Sequence, residues 1–230
     1  MDATSHYPLL AAAAVRGHSL RHRLPLPKDL IDTPLEDLSQ SQLDALWQQG
    51  SAWELKLYRF KRGHEELPRV KQVLGFLRSV YPESLVDVGS GRGVFLFPFL
   101  EGFPQCRVTS LDILDHRVEF LEDIHNGGLE RLEARKGDIC TQPLPDKCAD
   151  VVTLLEVLEH IPDVAQAVAS AVRMARQYVV VSVPSKPDNN PEHIHLLTKD
   201  ILTELFHAAG CSRLHFSGVN GHLILVASVN

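Results

Sequence analysis

The stretch Leu85-Val86-Asp87-Val88-Gly89-Ser90-Gly91-Arg92-Gly93 decides the fold. A short apolar strand, Ser84–Val88, runs into three glycines at alternate positions, and Val94–Phe99 then reads as helix. Glycine lacks Cβ, so such a turn can adopt unusual φ and let a ligand approach the backbone closely. In a doubly wound sheet a strand-to-helix turn of this kind lies at the carboxyl ends of the strands, where ligands bind. The spacing is not the dinucleotide fingerprint G-x-G-x-x-G, because Val94 stands where the third glycine would fall. No G-x-x-x-x-G-K-[ST] run is present either. Asp87 places a carboxylate two residues before the first glycine, which suits a cationic ligand better than a pyrophosphate.

Working outward, strands and helices alternate. Strand segments are expected at 107–111, 133–136, 149–155 and 178–183, with helices at 115–125, 164–175 and 199–209. Helices of this length between short strands indicate βαβ units on a parallel sheet. The last two strands, 213–216 and 222–229, stand too close for a crossover helix and should form an antiparallel hairpin. The fold class is therefore α/β: a doubly wound sheet of about seven strands, mostly parallel, with a C-terminal antiparallel hairpin and an N-terminal helical appendage.

The division expected is an arm and helical appendage over residues 1–62, a possible lid, and a ligand-binding domain over 63–230. The first 35 residues contain four prolines and read as a loose arm, with at most a helical turn near Pro8–Val15. Ser39 reads as an N-cap before a helix carrying Leu43, Leu46 and Trp47. A second helical stretch carries Trp53, Leu57 and Phe60, with Lys56, Arg59, Lys61 and Arg62 on its other face. That face is either solvated or a lid that steers an anionic substrate.

The chain has 230 residues, 44% hydrophobic and 23% charged, which excludes wholesale disorder and a disulfide miniprotein. Net charge is −6, unevenly spread: residues 1–80 hold 11 basic and 9 acidic groups, and the remainder hold 12 and 20. An acidic main domain disfavours indiscriminate duplex binding. Cys106, Cys140, Cys148 and Cys211 form no C-x-x-C pair and match no zinc spacing. They read as reduced thiols in a cytoplasmic protein. No apolar run is long enough to span a membrane, so no membrane partner is expected.

Asp87-x-Gly89-x-Gly91-x-Gly93 resembles the first motif of class I S-adenosylmethionine (SAM) methyltransferases. SAM carries a sulfonium and an ammonium, the charges an acidic loop attracts. Asp112, 25 residues after Asp87, ends the second strand where an acidic residue grips ribose hydroxyls in this fold class, with Ile113 beside it. Gly137-Asp138-Ile139 resembles the family's adenine-contacting motif, and Leu154–Pro162 resembles the segment after the fourth strand. The resemblance covers residues 85–162 by motif and implies SAM as cofactor. The cofactor-binding residues it implies are Asp87, Gly89, Ser90, Gly91, Gly93, Asp112, Ile113, Asp138, Ile139 and Glu156. Arg92 could reach the SAM carboxylate or solvent.

The acceptor is constrained less. The Asn-Pro-Pro-Tyr run of enzymes acting on base amines is absent. Glu156-x-x-Glu159-His160 and the later Pro191-Glu192-His193-Ile194-His195 should both lie at the carboxyl edge of the sheet. His160 and His193 are the candidate general bases, since an imidazole pKa near ~6.5 suits proton transfer. Carboxylate and imidazole donors would also suit a divalent metal. Glu156, Glu159, His160 and His193 resemble the metal site of small-RNA 3′-terminal 2′-O-methyltransferases, although Leu196-Leu197 departs from that family's pattern. Three readings follow: a SAM-dependent methyltransferase with a small-molecule acceptor, a metal-assisted enzyme with an RNA substrate, and a non-catalytic SAM-binding partner or sensor. Oligomeric state is not legible.

Overall fold

The computed structural model describes residues 5–142, 144–187 and 189–229. Its sheet is built from β1 (Ser84–Val88), β2 (Arg107–Asp112), β3 (Leu132–Lys136), β4 (Ala149–Leu155), β5 (Ala175–Pro184), β6 (Arg213–Val219) and β7 (His222–Ser228). The strand order is β3-β2-β1-β4-β5-β7-β6. β1 to β5 pair in parallel, and β7 lies antiparallel between β5 and β6. This is the seven-stranded mixed sheet with a C-terminal hairpin that the alternation predicts.

The central strands read as continuous apolar runs because both sheet faces are covered. Every residue of β1 is buried. Its alternate side chains feed two cores, Leu85 on one face and Val86 and Val88 on the other. Chain reversal inverts the strand order beside β1, where its paths to β2 and to β4 diverge. The carboxyl end of β1 therefore opens a crevice at the switch point.

Helices cover both faces: α1 (Pro8–His22), α2 (Lys28–Asp32), α3 (Gln40–Ala52), α4 (Pro68–Val80), α5 (Leu96–Gly102), α6 (Asp115–Asn126), α7 (Val164–Met174) and α8 (Lys199–Ala208). Their starts follow cap chemistry. Ser39 and Gln42 form a reciprocal capping box on α3. Asp163 caps α7 through Gln166 N at 3.0 Å, and Thr198 caps α8.

Two expectations for the N-terminal part are corrected. The segment read as a loose arm holds α1, a 15-residue helix whose residues Leu10–Gly17 are all buried. Residues 10–15 are apolar without a break and so carry no amphipathic period to detect, and a stretch of that kind belongs inside. Pro8 starts it, where a proline costs nothing. Small residues let it lie on α6: a Cβ at Gly17 would fall 1.8 Å from Asp123 O, and one at Gly127 1.8 Å from Ala13 O.

The second helical stretch is instead a 3₁₀ turn, Leu57–Phe60. Its basic residues share no helix face: Arg59 stacks on Phe120 at 4.8 Å, and Arg62 pairs with Glu101 and lies over Tyr7. Leu57 and Phe60 join α1, α3, α4 and α5 in one hydrophobic core with the sheet.

Candidate active site

A cavity of about 760 Å³ opens at the carboxyl ends of β1, β2 and β4. Asp87, Gly89, Ser90, Gly91, Asp112, Ile113, Asp138, Ile139, Glu156 and His160 all line it. Of the residues named from sequence, Gly93, Glu159 and His193 stand outside this lining.

The three loop glycines have φ of +67°, +59° and +83°, a region that favours glycine. They do different things. A Cβ at Gly89 would meet Val157 at 2.8 Å, and one at Gly93 would enter the Phe97 ring at 2.5 Å. Gly91 would meet only Gly89 O at 3.7 Å, so its bare backbone faces the cavity. Gly93 is thus required by α5 packing, and Gly91 is placed to approach a ligand.

Asp87 is buried beneath the loop and accepts a 2.6 Å hydrogen bond from Thr153 Oγ1. Burial pushes its carboxyl up to about 6, against hydrogen bonds from Ser90 and Thr153 that favour the ionised form, and the nearby Asp112 charge adds to the rise. Asp112 is buried too. One of its oxygens accepts from Leu114 N at 3.0 Å, and the other faces Arg117 Nη1 at 3.4 Å. Its neighbour Ile113 is 62% exposed, a large apolar side chain open beside the cavity. Asp138 accepts from Cys140 N at 2.8 Å, which holds its carboxylate at the third strand's end.

Glu156 has a φ of +58°, a conformation non-glycine residues adopt under constraint. Its N–H donates to Ser182 O at 2.9 Å. Its Oε1 accepts from Ser182 Oγ at 2.7 Å, and its Oε2 lies 3.2 Å from His222 Nε2. Ser182 and His222 come from β5 and β7. Sequence reasoning missed them, together with the lining residues Arg69, Arg117 and Glu192. Contacts between distant strands leave no local signal.

His160 and His193 come together with rings 4.8 Å apart. Two backbone ties hold their segments: His160 Nδ1 lies 2.9 Å from Glu192 O, and Ile194 N donates to Glu159 O at 2.9 Å. A carbonyl only accepts, so His160 Nδ1 donates to Glu192 O, which fixes the ring's orientation. Glu159 is fully buried beneath them.

An acidic glycine loop, a buried aspartate at the end of β2 and an exposed apolar residue thus stand around one crevice of a class I methyltransferase fold. Residues 86–181 match the model of the methyltransferase domain family. A protein of Mycolicibacterium smegmatis named "probable S-adenosylmethionine-dependent methyltransferase" is 37% identical over 90 residues, 35% of this chain and 35% of that protein. Among solved structures, a SAM-dependent methyltransferase from Aquifex aeolicus superposes with a TM-score of 0.58 at 20% identity, covering 73% of this chain and 93% of that one. A protein of Nostoc punctiforme assigned as an O-methyltransferase gives 0.59 at 15% identity, covering 70% of this chain and 55% of that one. The chain spans about a third of the matched Mycolicibacterium protein and about half of the Nostoc one. Among the described residues no helix is long and apolar enough to cross a membrane.

Proposed function

We propose that the protein transfers the methyl group of SAM to the oxygen of a small-molecule acceptor. The observation that carries this reading is the single crevice in which Asp87, Gly91, Asp112 and Asp138 line one part of the cavity and Glu156 and His160 another. At about 760 Å³ the cavity falls in the ~300–1,000 Å³ range of small-molecule sites.

Each residue takes a role that its surroundings support. Asp112 accepts from the ribose hydroxyls, Ile113 packs on the adenine, and Asp138 with the Ile139 N–H reads its edge. Gly89, Ser90 and Gly91 admit the methionine portion. Asp87 and Glu156 face its cationic groups. Arg92 and Arg69 are suited to its carboxylate. Methyl transfer is a direct displacement, so holding donor and acceptor in line supplies much of the rate. Activation of the acceptor hydroxyl falls to His160 and His193.

A small-molecule acceptor is favoured over RNA by the charge of the lining. Six carboxylates stand against three guanidiniums there: Asp87, Asp112, Asp138, Glu156, Asp163 and Glu192 against Arg69, Arg92 and Arg117. Phosphates would meet net repulsion. An oxygen acceptor is favoured by the O-methyltransferase assignment of the Nostoc neighbour.

The test is incubation with methyl-labelled SAM and a cell extract separated into RNA, protein and small-molecule fractions. Label among small molecules with equimolar S-adenosylhomocysteine is the expected result. Label in RNA or protein overturns the acceptor class. A stoichiometric SAM complex with no turnover on any fraction overturns the enzymatic reading.

A further inference from the structure

Residues 5–7 pair with residues 60–62. Tyr7 N donates to Phe60 O at 2.9 Å, and Arg62 N donates to Ser5 O at 2.8 Å. Arg62 Nε donates to His6 O at 2.8 Å. From this pairing Tyr7 Oη, on a residue only 2% exposed, donates to Glu65 Oε2 at 2.7 Å. Arg69 follows four residues on, in the first turn of α4, and lines the crevice. We infer that Tyr7, acting through Glu65, is a positioning residue that sets Arg69 for the carboxylate of SAM. The inference rests on the proposed function, which gives that carboxylate to Arg69 and Arg92.

Three observations support it. First, α4 has no side-chain cap at its start. Pro68 suits the first helical position, but a proline fixes only its own φ. The buried face of α4, from Val70 to Leu77, holds the helix further along, so its first turn depends on the segment that enters it. Second, that segment turns through Gly63 at φ +116°, where a Cβ would meet nothing within 4 Å. The turn has little packing of its own, and Glu65 closes it. Its Oε2 accepts from Gly63 N at 2.9 Å as well as from Tyr7, and Arg62 Nη1 lies 4.0 Å from its Oε1. Third, Arg69 makes no hydrogen bond or ion pair among the described residues, so its aim depends on where the backbone puts it.

The Tyr7 ring has a separate task. It meets Phe97 edge-on at 6.1 Å, and Phe97 is the ring on which Gly93 closes. The ring therefore supports the packing beneath the glycine loop, while the hydroxyl serves the arginine. Y7F keeps the first and removes the second.

The experiment compares SAM with decarboxylated SAM, which keeps the adenosine, sulfonium and ammonium and lacks only the carboxylate. Calorimetry on the full chain gives the ratio of their dissociation constants. R69A should lower the preference for SAM by more than about tenfold. Y7F and E65A should each lower it by about three- to tenfold, with the affinity for decarboxylated SAM unchanged. The Y7F/E65A double variant should fall no further than either alone, because the two groups act as one. Glu65 is partly exposed, so E65A remains decisive if Y7F fails to fold. Equal weakening of both ligands by Y7F and E65A would reduce Tyr7 to a structural role and overturn the inference. A ratio that falls in R69A alone would overturn it too, and leave the proposed function standing. A ratio unchanged in R69A would take the carboxylate from Arg69 and overturn the inference with that placement. A wild type that binds neither ligand would overturn the cofactor reading itself.

Discussion

His222 and Glu156 are joined across two strands: the imidazole Nε2 of β7 lies 3.2 Å from the carboxylate Oε2 that follows β4. His222 Nδ1 lies 3.2 Å from Asn220 O, a group that only accepts. The C-terminal hairpin thereby helps hold the one cavity-lining non-glycine residue with a left-handed backbone among the described residues. Replacing His222 with alanine removes one of two side-chain partners of Glu156, while Gln retains a donor. Loss of a hydrogen bond to a charged group costs about 1.5–3 kcal/mol. A drop of roughly tenfold or more in kcat/KM is expected for H222A, with partial recovery in H222Q. Equal turnover in all three proteins would detach the hairpin from the site.

Asp112 is oriented by the Leu114 N–H. D112A should weaken SAM binding by more than about tenfold, or ~1.4 kcal/mol. Calorimetry checks this, with circular dichroism confirming that the fold is retained. Unchanged affinity would remove Asp112 from the ribose site.

The raised pKa of Asp87 sets a direction for stability against pH. Its folded value of about 6 lies above the ordinary carboxylate range. Ionisation is thus easier in the unfolded chain, and stability from this group falls as pH rises through about 4 to 6. Above that window the ionised, buried carboxylate costs on the order of 3 kcal/mol. D87N should raise Tm at pH 7.5 and change it little near pH 4. The same substitution should weaken SAM binding at pH 7.5, because a neutral amide offers nothing to a cation. A lower Tm for D87N at pH 7.5 would show that hydrogen bonding, not charge, governs this position.

Gly91 has space around it but a φ of +59°. G91V should abolish SAM binding by filling the approach. G91A should weaken it less and cost about 1 kcal/mol of stability through backbone strain. G93A, which drives a Cβ into Phe97, should cost more stability than G91A. Denaturant titration of the three variants tests the order, and normal SAM titration of G91V would refute the placement of the loop.

G17A should destabilise by about 1–3 kcal/mol or more, because its Cβ would collide with the backbone carbonyl of Asp123. A neutral result in thermal unfolding would mean that α1 docks more loosely than the contact implies.

The strands were legible where physics is local. β1 and β4 fall on the residues their apolar runs predict, since buried parallel strands are continuous and end at glycine or polar turns. The glycine loop announced the crevice, and Asp87, Asp112 and Asp138 line it. The helix Pro8–His22 was hidden because the unbroken apolar run Leu10–Val15 produces no period, and nearby prolines suggested extended chain. Gly93 was legible as necessary but not as packing, since a motif does not say which glycine faces a ligand and which a phenylalanine. Ser182 and His222 were invisible because only strand register brings them to Glu156.

The close seating of α1 on α6 also orders events at the ribosome. Gly17 meets Asp123 and Ala13 meets Gly127, so α1 is made about a hundred residues before this partner. At roughly 5–20 residues per second, an apolar helix emerges and waits several seconds for about a hundred further residues. During that interval the apolar run Leu10–Val15, buried in the folded protein, is open to a nascent-chain chaperone.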